Sequence, residues 1–525
     1  MTSPFRLHTL AAAIAMAAGT LPSTAGAVQG PSSSQTPYLV PTQPGYTVTS
    51  ILTTGDTVGG YQLGGIPDGL GAYDNGNGTF TLLVNHEYGT GTAVNAAGSH
   101  GVLGAGAYVS KWIIDKRDLS VVSGGDLITG VAGWDKATQS SSALSTAPAS
   151  TSFQRFCSAD LTAKGALSFV QNGVTYGTNE RLFMNGEEGG SEGRAVATVV
   201  STGAAYVLGK FNLATNSPTS TSTAVGAWEN ILVNPLSQLK TVAIGTNDGG
   251  TGIMSNALSV YVGTKTTAGS EVDKAGLTNG AMKFVNVAGN AAEITNTATR
   301  ATNIVDGTRF ALSDTASTAF SRPEDGAWNP HNPNEFFFVT TDRLDQVADG
   351  VGTQVGRTRL WSLTFDDITN PDLGGKVDLL AEGTGLDGNM WDNMTVDVNG
   401  HLILQEDVGN AAHNGKVWDY DPATGTMTQI LKHDPTRFGD IGLAATAPFN
   451  QDEESSGVID VTDIFDPSHK SGRYYLVTTQ AHYANLGTVE GGQLMMVHAV
   501  PLPGAVWLLG SSLAGLIGLR RRAGC

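Results

Sequence analysis

Asp74-Asn75-Gly76-Asn77-Gly78-Thr79-Phe80-Thr81-Leu82-Leu83-Val84-Asn85-His86-Glu87 is a turn, a strand and an acid in direct succession. Asp397-Val398-Asn399-Gly400-His401-Leu402-Ile403-Leu404-Gln405-Glu406-Asp407 has the same shape. Gly and Asn supply the turn, and the β-prone run that follows reads as a strand. Three further segments place acids beside apolar runs: Leu182-Phe183-Met184-Asn185-Gly186 before Glu187-Glu188, Phe320-Ser321 before Arg322-Pro323-Glu324-Asp325, and Pro448-Phe449-Asn450-Gln451 before Asp452-Glu453-Glu454. Carboxylates at strand ends of a β-fold converge on one face or axis. Converged carboxylates repel one another unless cations neutralise them. The pattern therefore points to a metal centre, with acidic strand-terminating turns as the plain alternative.

Working outward, helical periodicity is scarce. Short strand-like runs such as Ala205-Tyr206-Val207-Leu208, Ser259-Val260-Tyr261-Val262, Glu335-Phe336-Phe337-Phe338-Val339 and Tyr474-Tyr475-Leu476-Val477 alternate with turn-forming clusters. Leu360-Trp361-Ser362-Leu363-Thr364-Phe365-Asp366 and Lys416-Val417-Trp418-Asp419-Tyr420-Asp421 each put a Trp on a strand before an acidic turn. Each turn–strand–acid segment reads as an inner strand with a functional residue at its end. Degenerate short-strand repeats without helical crossovers indicate radial repetition, an all-β propeller whose inner strands surround an axis. A pair of sandwiches competes, because the repeat does not count blades by itself. Lys136–Ser152 and Thr264–Ser317 read as long loop insertions.

The chain has 525 residues, 29 basic against 47 acidic, and a net charge of −18. Such a surface excludes nucleic acid and anionic lipid as natural partners. It suits calcium, which is plentiful outside cells. Positions 1–27 form a secretory signal peptide: Arg6, an apolar stretch Leu10–Ala18, and Ala25-Gly26-Ala27 before the cleavage point. No paired arginine marks twin-arginine export. Of the two cysteines, Cys157 and Cys525, the second falls in the extreme tail. Cys157 is then alone in an oxidising compartment, which implies that it is buried, metal-bound, or both.

The tail at 501–525 follows Val500 with Pro501-Leu502-Pro503, an apolar transmembrane stretch Gly504–Leu519, and Arg520-Arg521-Arg522. This order resembles a PEP-CTERM sorting tail. The resemblance implies passage through the inner membrane, engagement of a sorting and processing machinery, and residence in the periplasm, on the outer surface or in extracellular matrix. A transient anchor or a permanent C-terminal one would both use that stretch.

Across about 60–490, Asn85-His86-Glu87-Tyr88, Arg155-Phe156-Cys157-Ser158, Gly186-Glu187-Glu188, Arg322-Pro323-Glu324-Asp325 and Asp392-Asn393 occur in an order that resembles PhoX-type alkaline phosphatases. The resemblance implies one six-bladed propeller over 28–500, with iron and calcium on its axis, hydrolysing phosphate monoesters as a monomer. It implies Cys157 as an iron ligand, with Glu188 or its neighbour Glu187, and Glu229 from Trp228-Glu229-Asn230. It implies Arg322 on the phosphate, Glu324 on metal, and Asp392 on calcium. Gly186 stands where the family often has Cys, and Trp228 where it often has His. From the strand-end pattern itself, Glu87, Glu406 and Asp407 join the expected ligands.

The chemistry is coherent. Thiolate is soft and selects iron or zinc, while carboxylates suit calcium. Arg322 and Glu324 are the expected catalytic pair, the guanidinium offering two parallel hydrogen bonds to an anionic substrate. An ordinary Arg322–Glu324 ion pair is the structural alternative. Two other functions stay open: a phytase-like or lactonase-like hydrolase on the same scaffold, and a non-catalytic calcium-stabilised matrix propeller. His86, His331 and His482 would serve any of these, with His331 read as a turn residue.

Overall fold

The computed structural model describes residues 26–92, 102–147, 151–343, 356–384, 387–409, 411–485 and 487–500. Most of the segment expected to be a signal peptide, 1–27, and the whole of 501–525, Cys525 included, lie outside the described residues. Among the described residues no helix is long and apolar enough to cross a membrane.

The chain is an all-β propeller of six blades. Blade one holds Pro67–Asp74, Thr79–His86, Tyr108–Asp115 and Val121–Asp126, ordered outward from the axis. Blade two holds Asp160–Leu161, Leu182–Gly186, Ala195–Val199 and Ala204–Val207, with Gly130–Ala132 on its outer edge. Blades three and four are Trp228–Val233, Lys240–Asn247, Leu258–Thr264, Ala281–Val287 and Pro323–Trp328, Glu335–Thr340, Thr358–Phe365, Gly375–Gly383. Blade five is Trp391–Val396, Leu402–Glu406, Lys416–Asp421 and Thr426–His433, edged by Leu39–Pro41. Blade six takes Glu453–Asp460, Arg473–Asn485 and Val489–Ala499 from the end of the chain and Tyr46–Thr53 from its beginning. The pairing of Tyr46 with Ala499 and Ser50 with Met495 closes the ring.

Six buried apolar clusters fill the gaps between neighbouring blades. Each sheet is covered on both faces, so successive residues of one strand point into different gaps. Phe336 and Phe338 pack toward blade three, while Phe337 and Val339 pack toward blade five. Leu82 and Val84 face blade six, and Leu83 faces blade two. This is why the strands read as unbroken apolar runs. Phe338 is fully buried among Phe320, Phe336 and Trp361. We expect Phe338→Ala to cost about 3–5 kcal/mol in chemical denaturation; a loss below about 1 kcal/mol would contradict this packing.

Two expectations need correction. Thr264–Ser317 is not merely an insertion: Ala281–Val287 is the outer strand of blade three, and Thr308–Ser313 stitches it to blade four. The strand after each glycine-rich turn is the second strand of its blade, not the inner one. Asp74–Thr79 and Val396–Leu402 are the turns joining first to second strands in blades one and five. The Trp361 and Trp418 strands are equivalent, both being third in their blades.

Candidate metal centre

First strands begin, and second strands end, at the same mouth of the axis. The second residue of the inner strand is an acid in five blades: Asp68, Glu229, Glu324, Asp392 and Glu454. In blade two, whose inner strand is short, Cys157-Ser158 leads into that position. A break in register accompanies each of the five acids, at Pro67/Leu70, Trp228/Asn230, Pro323/Gly326, Trp391/Met394 and Glu454/Gly457. Such bulges kink a strand and re-aim a side chain, here toward the axis. Ile66, Arg322 and Met390, each just before an inner strand, have φ of 48°, 58° and 46°. For Arg322 this left-handed backbone is strain held at the mouth.

Second strands supply an outer ring. Glu87, Glu188, Asp248 and Asp407 follow the ends of the second strands in blades one, two, three and five. His482 takes this place in blade six, where the strand breaks register between Ala481 and Ala484. In blade four the equivalent residue is Thr341, whose hydroxyl donates to the Trp391 carbonyl at 2.9 Å, and the next residue, Asp342, is turned aside to Arg300, the Ser321 hydroxyl at 2.9 Å and the Arg357 amide at 2.7 Å. The long connections at 127–159, 208–227, 288–322 and 434–452 all enter inner strands from this side. Functional loops concentrate in this way on one rim of a rigid scaffold.

The rings converge into three groups whose ligand atoms lie within 4.8 Å of one another: Asp68–Glu87–Cys157, Cys157–Glu188–Glu229, and Glu229–Glu324–Asp392. Cys157 and Glu229 are shared, so the groups form one chain of potential ligands. Close backbone approach sets this up: the Gly69 amide donates to the Cys157 carbonyl at 3.1 Å, and a Cβ on Gly69 would lie 2.4 Å from the Ala159 nitrogen. The Asn85 amide also donates to that carbonyl, at 2.7 Å. Cys157 Sγ lies 3.1 Å from Glu188 Oε2, and Ser158 Oγ donates to Glu229 Oε1 at 2.6 Å.

The region crowds carboxyl groups that repel one another when ionised. Burial, then neighbouring carboxylates, push Asp68, Glu324 and Asp392 well above the ordinary range. Burial raises Glu188 too, against the pull of Arg155. It raises Glu229 to about 7 and Glu454 to about 8. Burial together with Glu188 also raises Cys157. Glu87 goes the other way: burial is outweighed by Arg155, which holds it below its usual value. Asp68 Oδ1 and Glu324 Oε1 are buried without a hydrogen-bond donor. The cations Arg155, Arg322 and His482 cannot offset this many acids. The residues therefore fit bound metal, with hard carboxylate donors throughout and a single soft thiol.

The two arginines brace the rings. Arg155 pairs with Glu87 and with Glu188 at 2.7 Å. Arg322 donates to Asp248 from Nε at 3.0 Å and Nη2 at 2.9 Å, and stands 3.3 Å from Glu324. Both remain partly open to solvent, at 47% and 38% of their side-chain surface.

Of the expected ligands, the structure brings together Cys157, Glu87, Glu188, Glu229, Glu324 and Asp392. Asp407 reaches the mouth, half-buried within the fields of Arg322 and His482, but joins none of the three groups. Glu187 and Glu406 are corrections. Alternation turns Glu187 away from Glu188, and its carboxylate is consumed by Arg194 and the Gln154 amide. Glu406 points between blades, accepting from the Asn389 and Lys416 amides, Trp418 Nε1 and His413. His86 is structural, stacked on Tyr108 and tied to Gly65 and Ser110. His331 is a turn residue. Sequence reasoning misses Asp68, Asp248 and Arg155 as site residues, and it reaches Glu454 only as part of the Asp452-Glu453-Glu454 cluster. The shared position at the start of each inner strand is the signal that finds Asp68 and Glu454.

Gly186 and Trp228 meet in space. A Cβ on Gly186 would lie 2.2 Å from Trp228 Cβ. The Trp228 indole is buried between blades two and three and donates to the Gly193 carbonyl at 2.8 Å. This packing leaves Cys157 as the soft donor among the described mouth residues.

Neither a family model nor a curated protein matches the sequence. Among solved structures, the chain is similar to the PQQ domain of a pyranose dehydrogenase from Coprinopsis cinerea, in holo form, at 10% identity over 90% of this chain and 100% of that one, TM-score 0.36. It is similar to an oligogalacturonate lyase in complex with manganese at 11% identity over 84% and 98%, TM-score 0.31. A fungal alcohol oxidase of the AA5 family in complex with copper matches at 10% identity over 83% and 92%, TM-score 0.29. These likenesses carry no inference about chemistry.

Proposed function

We propose that the chain is an exported, metal-dependent hydrolase acting at the mouth of its propeller axis, with phosphate monoesters as its substrate class. The observation that carries the reading is the convergence of two rings of acids, one thiol and two arginines on one mouth. Cys157, Glu188 and Glu229 suit iron, and Glu229, Glu324 and Asp392 suit calcium, by the softness of their donors. Cations held there would supply Lewis acidity and lower the pKa of bound water.

The chain's own groups do the rest. Arg155 and Arg322 hold the ligand carboxylates in place, and the strained Arg322 offers its remaining guanidinium face to a substrate oxyanion. Ser158 fixes Glu229 and is itself held by Asn393 Nδ2 at 2.5 Å. The test is release of phosphate from an aryl monoester at alkaline pH by metal-replete protein, abolished by a chelator. Arg322→Ala should lower the rate on the order of a hundredfold, as removal of a preorganised charge stabiliser does.

One observation favours a second reading. Both mouth arginines are already paired with carboxylates, which suits an uncharged ester such as a lactone. A metal-replete enzyme that opens lactones and ignores aryl phosphates would replace the phosphatase reading. A folded, metal-loaded protein inert on both would establish the non-catalytic calcium-bound propeller instead.

A further inference from the structure

His482 occupies the outer-ring position of blade six, where blades one, two, three and five carry Glu87, Glu188, Asp248 and Asp407. The register break at Ala481/Ala484 turns this residue to the mouth, and the ring keeps 24% of its surface open. Its Nδ1 is gripped by Glu490 Oε2 at 2.5 Å. Its Nε2 faces inward, 3.7 Å from Glu454 Oε2. Glu454 belongs to none of the three ligand groups. It is linked to them by Gln480, whose Nε2 lies 3.4 Å from Glu454, 3.2 Å from Asp68 and 3.0 Å from Glu87. An imidazole with one nitrogen clamped by a carboxylate and the other turned to the inner ring of acids, part of its surface open to solvent, is arranged for proton transfer.

We propose that His482 is the general acid of the hydrolysis, with Glu490 as its positioning residue. This rests on the hydrolase reading above. As the bond from the phosphorus or carbonyl carbon to the leaving oxygen breaks, its electron pair stays on that oxygen. The Nε2 proton of His482 passes to the same oxygen, and the alcohol departs neutral. The attacking water delivers its oxygen to the phosphorus or carbon and its surplus proton to solvent. The imidazole then recovers a proton from water. The groups facing His482 are Glu490, Glu454, Asp407 and Glu87, with the Asp452 carbonyl accepting from its main-chain amide. Burial alone would lower its pKa, but the carboxylates of Glu454, at 3.7 Å, and Glu490, at 2.5 Å, outweigh it and shift the ring well above the ordinary histidine value.

A general acid matters in proportion to the basicity of the leaving group. His482→Gln should therefore cut turnover of an alkyl ester on the order of a hundredfold or more, and that of a 4-nitrophenyl ester of the same acid by less than about tenfold. Glu490→Gln should show the same split, weaker. Bound metal per chain should be unchanged in both. Equal losses on the two esters, or a loss that tracks metal content, would overturn the assignment while leaving the hydrolase reading intact. If His482→Gln fails to fold, the split in Glu490→Gln decides: its absence overturns the proposal. A metal-replete wild type inactive on every ester overturns both readings.

Discussion

Stripped of bound cations, the folded protein should lose stability as pH rises from about 5 to 8, and metal should reverse that slope. Burial and mutual repulsion raise Glu229 to about 7 and Glu454 to about 8 in the folded chain. Asp68, Glu188, Glu324 and Asp392 move in the same direction. A carboxyl group whose folded pKa is raised stabilises fully below its unfolded value of roughly 4.3. That contribution is lost as pH climbs through the folded pKa. His482 is raised as well, and acts in the same sense. Glu87 is lowered and acts oppositely, its contribution disappearing only as pH falls below its unfolded value. Each tenfold change in a group's acidity between the unfolded and folded chain is worth about 1.4 kcal/mol. Glu229 and Glu454 alone would then make the change on the order of several kcal/mol. Cations bind the deprotonated ligands, so the loaded form should gain stability over the same range. Glu454, Glu453, Asp160 and Asp325, raised by burial to about 8, 8, 7 and 7, lie outside the ligand groups and act with or without metal. The difference between melting temperatures in chelator and in calcium, followed from pH 5 to 8, isolates the centre. Parallel slopes in the two conditions would mean that the mouth binds no cation.

The fold was legible because a propeller repeats its physics. The Asp74 and Asp397 segments are equivalent turns, and the Trp361 and Trp418 strands equivalent third strands. The blade number was not legible from the residues, because blade two is interrupted by long connections and blade six is assembled from both ends of the chain. The acids at ends of apolar runs include Glu87, Glu188 and Asp407, which the structure places after second strands at the mouth. The same rule misassigned Glu406, since adjacent residues on a strand face opposite sides and only one can reach the mouth. It passed over Asp68, which sits in Pro67-Asp68-Gly69 without an apolar run before it. That position becomes visible only when all inner strands are aligned by their bulges. Asp248 and Arg155 depend on pairings across 74 and 68 residues of chain, to Arg322 and Glu87. No local pattern encodes such pairings.

Cys157→Ser should separate the soft part of the centre from the hard part. Cys157 is buried and unpaired by any disulfide, and its sulfur belongs to two of the three ligand groups. Burial together with Glu188 pushes its thiol well above the usual range, so without a cation it would stay protonated and unreactive. A bound cation reverses this by stabilising the thiolate. Serine keeps the shape, but its hydroxyl is a hard and weak ligand. The substitution should therefore remove most of the bound iron, together with the absorption band of iron–thiolate bonding. Activity should fall in step with the iron. Calcium binding through Glu229, Glu324 and Asp392 should survive, because Glu324 and Asp392 share no group with the sulfur and Glu229 stays held by Ser158. The apolar clusters between blades do not involve Cys157 either, so the melting temperature of the calcium-loaded protein should change by only a few degrees. Iron per chain, calcium per chain and melting temperature, measured on both proteins, give the answer. Undiminished iron in the serine variant would make Cys157 a packed core residue, and leave the carboxylates alone to account for any chemistry at the mouth.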